Sequence, residues 1–339
     1  MPSASTIRRR DLIGLAIATP AIGLLGARPA HAQGGAAGFP SKPIQLVVPF
    51  PAGGATDGAA RLIADKLRQQ LGQPVLVDNK PGASGILGTD FVAKAPADGH
   101  TLVFSLSTSL LINQFLYKKL PYQPQKDLAL VSHVVNAPIA LLVHPSLPAA
   151  NAEELAKYIR ANKGKLSYGS WGVGSAGHLS LAEMSKKFDA DMTHVAYKGE
   201  APMLQDLVGG QIQMAFASTL QAKTFAEAGK LRIVGVTGEK RSGALPASPT
   251  LAEQGWKDDI FRITGWAAMA APAGTPKAVV DKLADEVRKA CEQPEVRARM
   301  LALLGSEPTA YGPEQFAALY ARELPVWQRV VKDTGATLD

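Results

Sequence analysis

The chain has 339 residues, is 46% hydrophobic, carries a formal net charge of +7 and contains one cysteine. That length is enough for two domains with separate cores. A mild basic excess spread along the sequence leaves no nucleic-acid footprint, and the lone Cys291, placed on an apolar helix face with Val279, Val280, Leu283 and Val287, excludes an intrachain disulfide and reads as a packed thiol.

The first stretch is Arg8-Arg9-Arg10-Asp11-Leu12-Ile13, an apolar run through Leu25, and Ala30-His31-Ala32. Basic region, short apolar region and small-residue cleavage site predict a signal peptide over 1–32 and a periplasmic protein. The arginine pair with Leu-Ile two residues on is similar to a twin-arginine signal, beside the general secretory route. Without that segment 339 − 32 = 307 residues remain, at a net charge of about +4.

From Ile44 to about Ser109 the pattern is strand, loop, helix, three times over. Strands are expected at Gln45–Val48, Val75–Val77 and Thr101–Phe104, with a helix entered at Gly58 and another from Ile86 to Ala95. Such alternation predicts a parallel sheet covered by helices, with ligands beyond the carboxyl ends of the strands. A second strand system follows Tyr122. Its strands are expected at Ala140–Val143, Leu166–Gly169, His194–Tyr197 and Leu231–Val236, and alternating Ile212, Met214 and Phe216 predict a half-buried strand. Asn151 and Glu154 form a capping pair for one helix, and Leu179–Phe188 is another. In the tail, Pro276 and Pro313 each occupy a first helical position. Two α/β halves with a helical tail predict two lobes and a cleft.

Three glycine-rich junctions carry the chemistry: Pro49–Asp57, Asn79–Gly85 and Gly169–His178. A strand that enters a helix through glycines leaves backbone N–H groups unpaired at the positive end of the helix dipole, which suits a carboxylate or phosphate. An ordinary βα turn with Asp57 as a helix cap is the plain alternative. Gly172-Val173-Gly174-Ser175-Ala176-Gly177 has the G-x-G-x-x-G spacing of a dinucleotide site, which makes an exported NAD(P)-dependent oxidoreductase the competing reading. That fingerprint also requires an acid at the end of the next strand, whereas Asp189 and Asp191 precede it. No G-x-S-x-G and no paired-histidine metal spacing occurs, so neither a hydrolase nor a metal cofactor is expected. His178 is either a structural histidine or a donor to a ligand carboxylate, and Trp171 either an apolar wall of the site or a packing residue.

In order, Pro49–Asp57 with Ala60-Arg61, Asn79–Gly85, Ala97–Leu102, Tyr168–Ser170 with Gly174–Leu179, Tyr197-Lys198-Gly199, Ala228–Arg232 and Ala271–Pro276 resemble the Bug, or TctC-type, periplasmic solute receptors. The resemblance implies a two-lobed α/β periplasmic-binding-protein fold (type II, Venus-flytrap) with two crossovers. Lobe one would span 40–140 and 264–339, and lobe two 141–263. It implies no enzymatic activity and no cofactor. The protein would be a monomer that binds a small carboxylate, di- or aromatic carboxylates favoured, for TctA/TctB-like membrane subunits of a tripartite tricarboxylate transporter, or that senses the ligand without transport. By carry-over, Phe50, Ala52, Gly53, Gly54, Ala55, Thr56 and Asp57 with Ser107 and Thr108 seat the proximal carboxylate. Ser170, Trp171, Gly174, Ser175, Ala176, His178, Ser218 and Thr219 select the distal part. Some members carry an Asp within the stretch that here reads Ala215–Thr219; its absence removes one partner for a ligand amine and favours an uncharged tail.

Overall fold

The computed structural model describes residues 38–338; the expected signal peptide lies outside them. In chain order the strands are β1 (Ile44–Val48), β2 (Val75–Asn79), β3 (Thr101–Leu106), β4 (Leu128–Ala137), β5 (Ile139–Val143), β6 (Ser167–Ser170), β7 (Thr193–Ala196), β8 (Met214–Ser218), β9 (Arg232–Val236), β10 (Gly265–Pro272) and β11 (Pro308–Tyr311). They form two sheets, ordered β11-β4-β10-β3-β1-β2 and β7-β6-β8-β5-β9.

The two sheets share one plan. In sheet one β1 pairs in parallel with β2 and β3, in sheet two β6 pairs in parallel with β7 and β8, and the strand next to β3 or β8 runs antiparallel to both its neighbours. That antiparallel strand is β10 in sheet one and β5 in sheet two, and each carries the chain in from the other sheet. The parallel pairing expected from the alternation over Ile44–Ser109 forms between β1, β2 and β3, and the strand that arrives from the other sheet runs antiparallel to its neighbours. The crossings lie at Pro138, between β4 and β5, and on entry to β10 at Gly265. This is the two-lobed, twice-crossed periplasmic-binding-protein fold.

Local sequence explains each element. All of β1 except Gln45 is fully buried, as a strand covered on both faces requires. The Ala55–Leu71 helix starts three residues before the expected Gly58, buries Ala59, Ala60, Ile63, Ala64 and Leu67 along one stripe, and stops at Gly72, whose left-handed backbone (φ 67°) donates its N–H to the Arg68 carbonyl. β8 is central and buried from Met214 to Ala217, so the half-buried strand read from its alternation is not what forms. Pro276 precedes the Lys277–Glu292 helix as its N-cap and does not occupy its first turn, whereas Pro313 opens Pro313–Thr334 as expected. One apolar cluster packs a face of sheet one, around Ile44, Leu46, Phe104 and Leu283. A larger one runs across both sheets, joining Val103 and Trp266 to Leu141 and Phe216 through Phe316 and Trp327 of the last helix.

Candidate functional site

At the carboxyl edge of sheet one, β1, β2 and β3 each run into a helical start. These are Ala55–Leu71, the short turn Ala83–Gly85 with Ile86–Ala93, and Thr108–Ile112. None of these starts is capped by a side chain: Gly54, Gly82, Gly85 and Ser107 hold the cap positions without a side-chain hydrogen bond. The first N–H groups of a helix have no partner within it. The rim therefore gathers helix amino ends whose donors no side chain covers, with Ala52, Gly53, Gly54 and Ala55 exposed beside them.

Asp57 builds this rim from behind. Its Oδ2 accepts from the Gly53 N–H at 2.9 Å and from Arg61 Nε at 3.0 Å, and its Oδ1 accepts from Asn79 Nδ2 at 2.9 Å. Asn79, at the end of β2, also donates to the Phe50 carbonyl at 3.1 Å. Burial alone raises the Asp57 carboxyl, but the bonds from Arg61, Gly53 and Asn79 outweigh it and hold the group below the ordinary aspartate range. Asp57 is 3% exposed, so its charge shapes the loop from within and the backbone meets the ligand side. Thr56 is likewise buried, and half-buried Phe50 packs on the core of sheet one. Beneath the third start, Ser107 is buried and Thr108 half-buried, and Ser109 Oγ lies 2.5 Å from Ser105 Oγ while receiving a bond from Thr89 Oγ1 at 3.1 Å. Tyr122 OH donates to the Ser109 carbonyl at 2.7 Å, fixing the turn. This buried hydroxyl set was not singled out in the sequence.

The carboxyl edge of sheet two is organised differently. Ser175 caps Ala176–Lys187 by accepting the His178 N–H at 3.3 Å, and Ser218 caps Thr219–Glu227 by accepting the Gln221 N–H at 3.4 Å. Ser170 is fully buried and saturated. Its hydroxyl donates to the Gly172 carbonyl at 3.0 Å and lies 2.7 Å from His194 Nε2, which therefore carries the proton. The Gly174 N–H donates to His178 Nδ1 at 3.1 Å, and the His178 ring stacks on His194 with centroids 3.9 Å apart. Burial first, and His194 second, lower the His178 pKa to about 4, so the ring is neutral near pH 7.

The glycines of Gly172–Gly177 have packing causes. A Cβ at Gly174 would sit 2.6 Å from Leu116 of sheet one's Asn113–Leu116 helix, and one at Gly177 would sit 2.7 Å from the Trp171 ring. Trp171 is half-buried and belongs to apolar clusters on both sides of sheet two. Thr219 is 2% exposed and packs on Gly305, which ends the Pro294–Leu304 helix of sheet one: a Cβ at Gly305 would meet Thr219 Oγ1 at 1.9 Å. The edge of sheet two is thus bracketed by two approaches to sheet one, Gly174 to Leu116 and Thr219 to Gly305. Between them lies a residue that sequence reasoning missed. Glu200, first in the Glu200–Val208 helix after β7, reaches past β6 to Ser218 at the end of β8, accepting from its N–H and, at 3.1 Å, from its hydroxyl. Burial raises the Glu200 pKa, and the two Ser218 bonds pull against that rise.

Among the described residues no group of three or more His, Cys, Asp or Glu is placed to hold a metal. A separate groove at the other end of β6 is bordered by Lys163, Asp189, Lys186 and Asp333. Four of its charges pair with one another, Lys163 with Asp189 at 2.6 Å and Lys186 with Asp333 at 3.2 Å, beside an exposed Asp191.

The sequence pattern described as "Tripartite tricarboxylate transporter family receptor" matches residues 59–336. Protein BugT of Bordetella pertussis is 34% identical over 328 residues, covering 96% of this chain and 97% of BugT. Two solved structures from Rhodopseudomonas palustris are similar throughout. Rpa4515 with adipate shows 34% identity and a TM-score of 0.75 over 88% of this chain and 98% of that one. MatC (Rpa3494) with bound malate shows 32% identity and a TM-score of 0.71 over 86% and 100%. These likenesses displace the dehydrogenase reading of Gly172–Gly177. Uncapped helix starts facing a self-capped opposite rim, on a twice-crossed two-lobed fold, thus have their explanation: the chain belongs to the tripartite tricarboxylate transporter receptor family, the Bug or TctC-type periplasmic solute-binding proteins, and is a receptor and not an enzyme.

Proposed function

We propose that this receptor captures a small carboxylate between its two rims and presents it, as a monomer, to the membrane subunits of a tripartite transporter. The observation that carries the reading is the set of three uncapped helix starts at the ends of β1, β2 and β3. Each supplies free N–H donors and the positive end of a peptide dipole array, and an anion on several such ends needs no cationic side chain. Adipate and malate, named with two related structures, are both carboxylates. In this reading Gly54, Ala55, Ser107 and Thr108 hold the proximal carboxylate, on a loop whose Gly53 N–H is tied to Asp57. Residues 40–140 with 264–339 form one lobe and 141–263 the other, and hinge closure shields the ligand. Residues 1–32 act as the export signal.

Thermal-shift screening of the protein from residue 33 against mono-, di-, tri- and aromatic carboxylates tests this. A ligand at about 100 times its dissociation constant adds roughly 2.7 kcal/mol and raises the melting temperature. A shift confined to carboxylates is the expected result. A shift with NAD or NADP and none with any carboxylate would overturn it.

A further inference from the structure

Glu200 has a position that its place in the sequence does not explain. An acid in the first turn of a helix ordinarily complements that helix's own dipole. This one leaves its helix and extends across the end of β6 to the neighbouring helix start, where each of its oxygens accepts one hydrogen bond from Ser218. Both oxygens act as acceptors, and the two Ser218 bonds favour the ionised form against the upward pull of burial. No cation of the described residues acts on it, and Lys198, two residues back, is exposed. A half-buried carboxylate without a counter-charge is less favourable than one that a cation completes.

The groups around Glu200 are already committed. Ser170 is saturated by His194 and Gly172, Ser175 and Ser218 cap their helices, and Thr219 is packed against Gly305. The open character of this rim therefore comes from the half-exposed Glu200 carboxylate, from exposed Lys198 and from the exposed apolar side chains Val173 and Leu220, and of these only Glu200 lies on Ser218. We infer that Glu200 sets the specificity of the cleft, favouring a carboxylate ligand whose far end carries a cationic hydrogen-bond donor, an ammonium group, over one that ends in a second carboxylate. The inference deepens the carboxylate-receptor reading and rests on it. It also changes the expectation drawn from the missing Asp at Ala215–Thr219: a carboxylate does reach Ser218, delivered from the loop after β7. A second ligand carboxylate would meet like charge in a poorly solvated setting, whereas an ammonium group would complete the ion pair.

The test compares ω-amino acids with dicarboxylates of equal length, from four to seven carbons, by calorimetric titration of the wild type and Glu200→Gln. The wild type is expected to bind the best ω-amino acid at least tenfold more tightly than the matching dicarboxylate. Glu200→Gln should close or reverse that gap. The ratio of the two affinities is read because misfolding lowers both alike, and a melting curve of the variant accompanies it. A wild type that prefers the dicarboxylate, or a ratio that Glu200→Gln leaves unchanged, overturns the assignment while carboxylate capture stands. Failure of every carboxylate of either kind to bind removes both readings.

Discussion

The rim formed by β1, β2 and β3 and the rim formed by β6, β7 and β8 are built from the same strand–loop–helix unit, yet they treat their helix starts in opposite ways. Glycines and an uncommitted Ser107 leave the first rim's amides open, and its one buried charge, Asp57, faces back into the loop. Serines cap two helices of the second rim, and its charge, the half-buried Glu200, lies across the strand ends. The difference shows how duplicated topology acquires two tasks. One copy keeps its donors free to grip any anion, and the other spends its donors internally and discriminates through what remains.

The sharpest way to break this comparison is to give the first rim a cap like those of the second. Gly54 has an ordinary extended backbone (φ −77°, ψ 169°), and the nearest atom to an added Cβ is the Pro51 carbonyl oxygen at 3.6 Å, so Gly54→Asp fits. An aspartate there caps the Ala55–Leu71 helix, a gain of only a few tenths of a kcal/mol over glycine. It also places a negative charge where the ligand carboxylate belongs. Carboxylate affinity should fall by about 100-fold or more, roughly 2.7 kcal/mol, with the melting temperature unchanged or slightly raised. Retained affinity would show that the first rim is not the anion seat.

Acid should next separate the rims. His178 is neutral in the folded protein down to about pH 4, whereas in the unfolded chain it takes up a proton near 6.5. Between these values the unfolded state binds more protons, so stability is full above about pH 6.5 and drains as pH falls toward 4, by on the order of 2 kcal/mol. Buried His133 in the core of sheet one, also lowered to about 4, contributes across the same window. His178→Asn keeps an acceptor for the Gly174 N–H and removes the titration at the second rim. Its melting temperature, followed from pH 7 to 4, should decline less steeply than that of the wild type; parallel curves would exclude His178 as a source of acid lability.

The smallest effect is expected from uncapping the second rim. Ser175→Ala should cost about 1 kcal/mol in urea denaturation through the lost cap, while carboxylate affinity changes by less than about threefold. A large loss of affinity would mean that the Ser175 hydroxyl leaves its cap to bind ligand.

The first rim was legible because strand, glycine pair and helix follow one another within a dozen residues, from Ile44 through Ala55. β4 was not: His133 and Ser132 interrupt its apolar run, and both are fully buried in the fold, where His133 finds Thr309 Oγ1 at 2.7 Å, 176 residues away in sequence. β10 left no strand signal either, because its alanines show no period of their own and are buried by neighbours on both sides. At the site, local chemistry identified the loops but not the partners of their side chains. Ser218 and Thr219 are adjacent hydroxyls; one is tied to Glu200 and the other faces Gly305, and only the packing of Pro294–Leu304 decides which. Glu200 was passed over because an acid beginning a helix has an adequate local explanation.

The exchanged strands also govern the order in which the molecule can be completed. β3 and β4 do not pair with each other; β10 fills the place between them. Sheet two has all its strands once Val236 has been made, but sheet one stays split until residues 265–272 exist and join its two parts. The half that carries the open amides is thus the last to close, and a chain halted between Val236 and Gly265 has a finished discriminating face opposite a sheet still in two pieces.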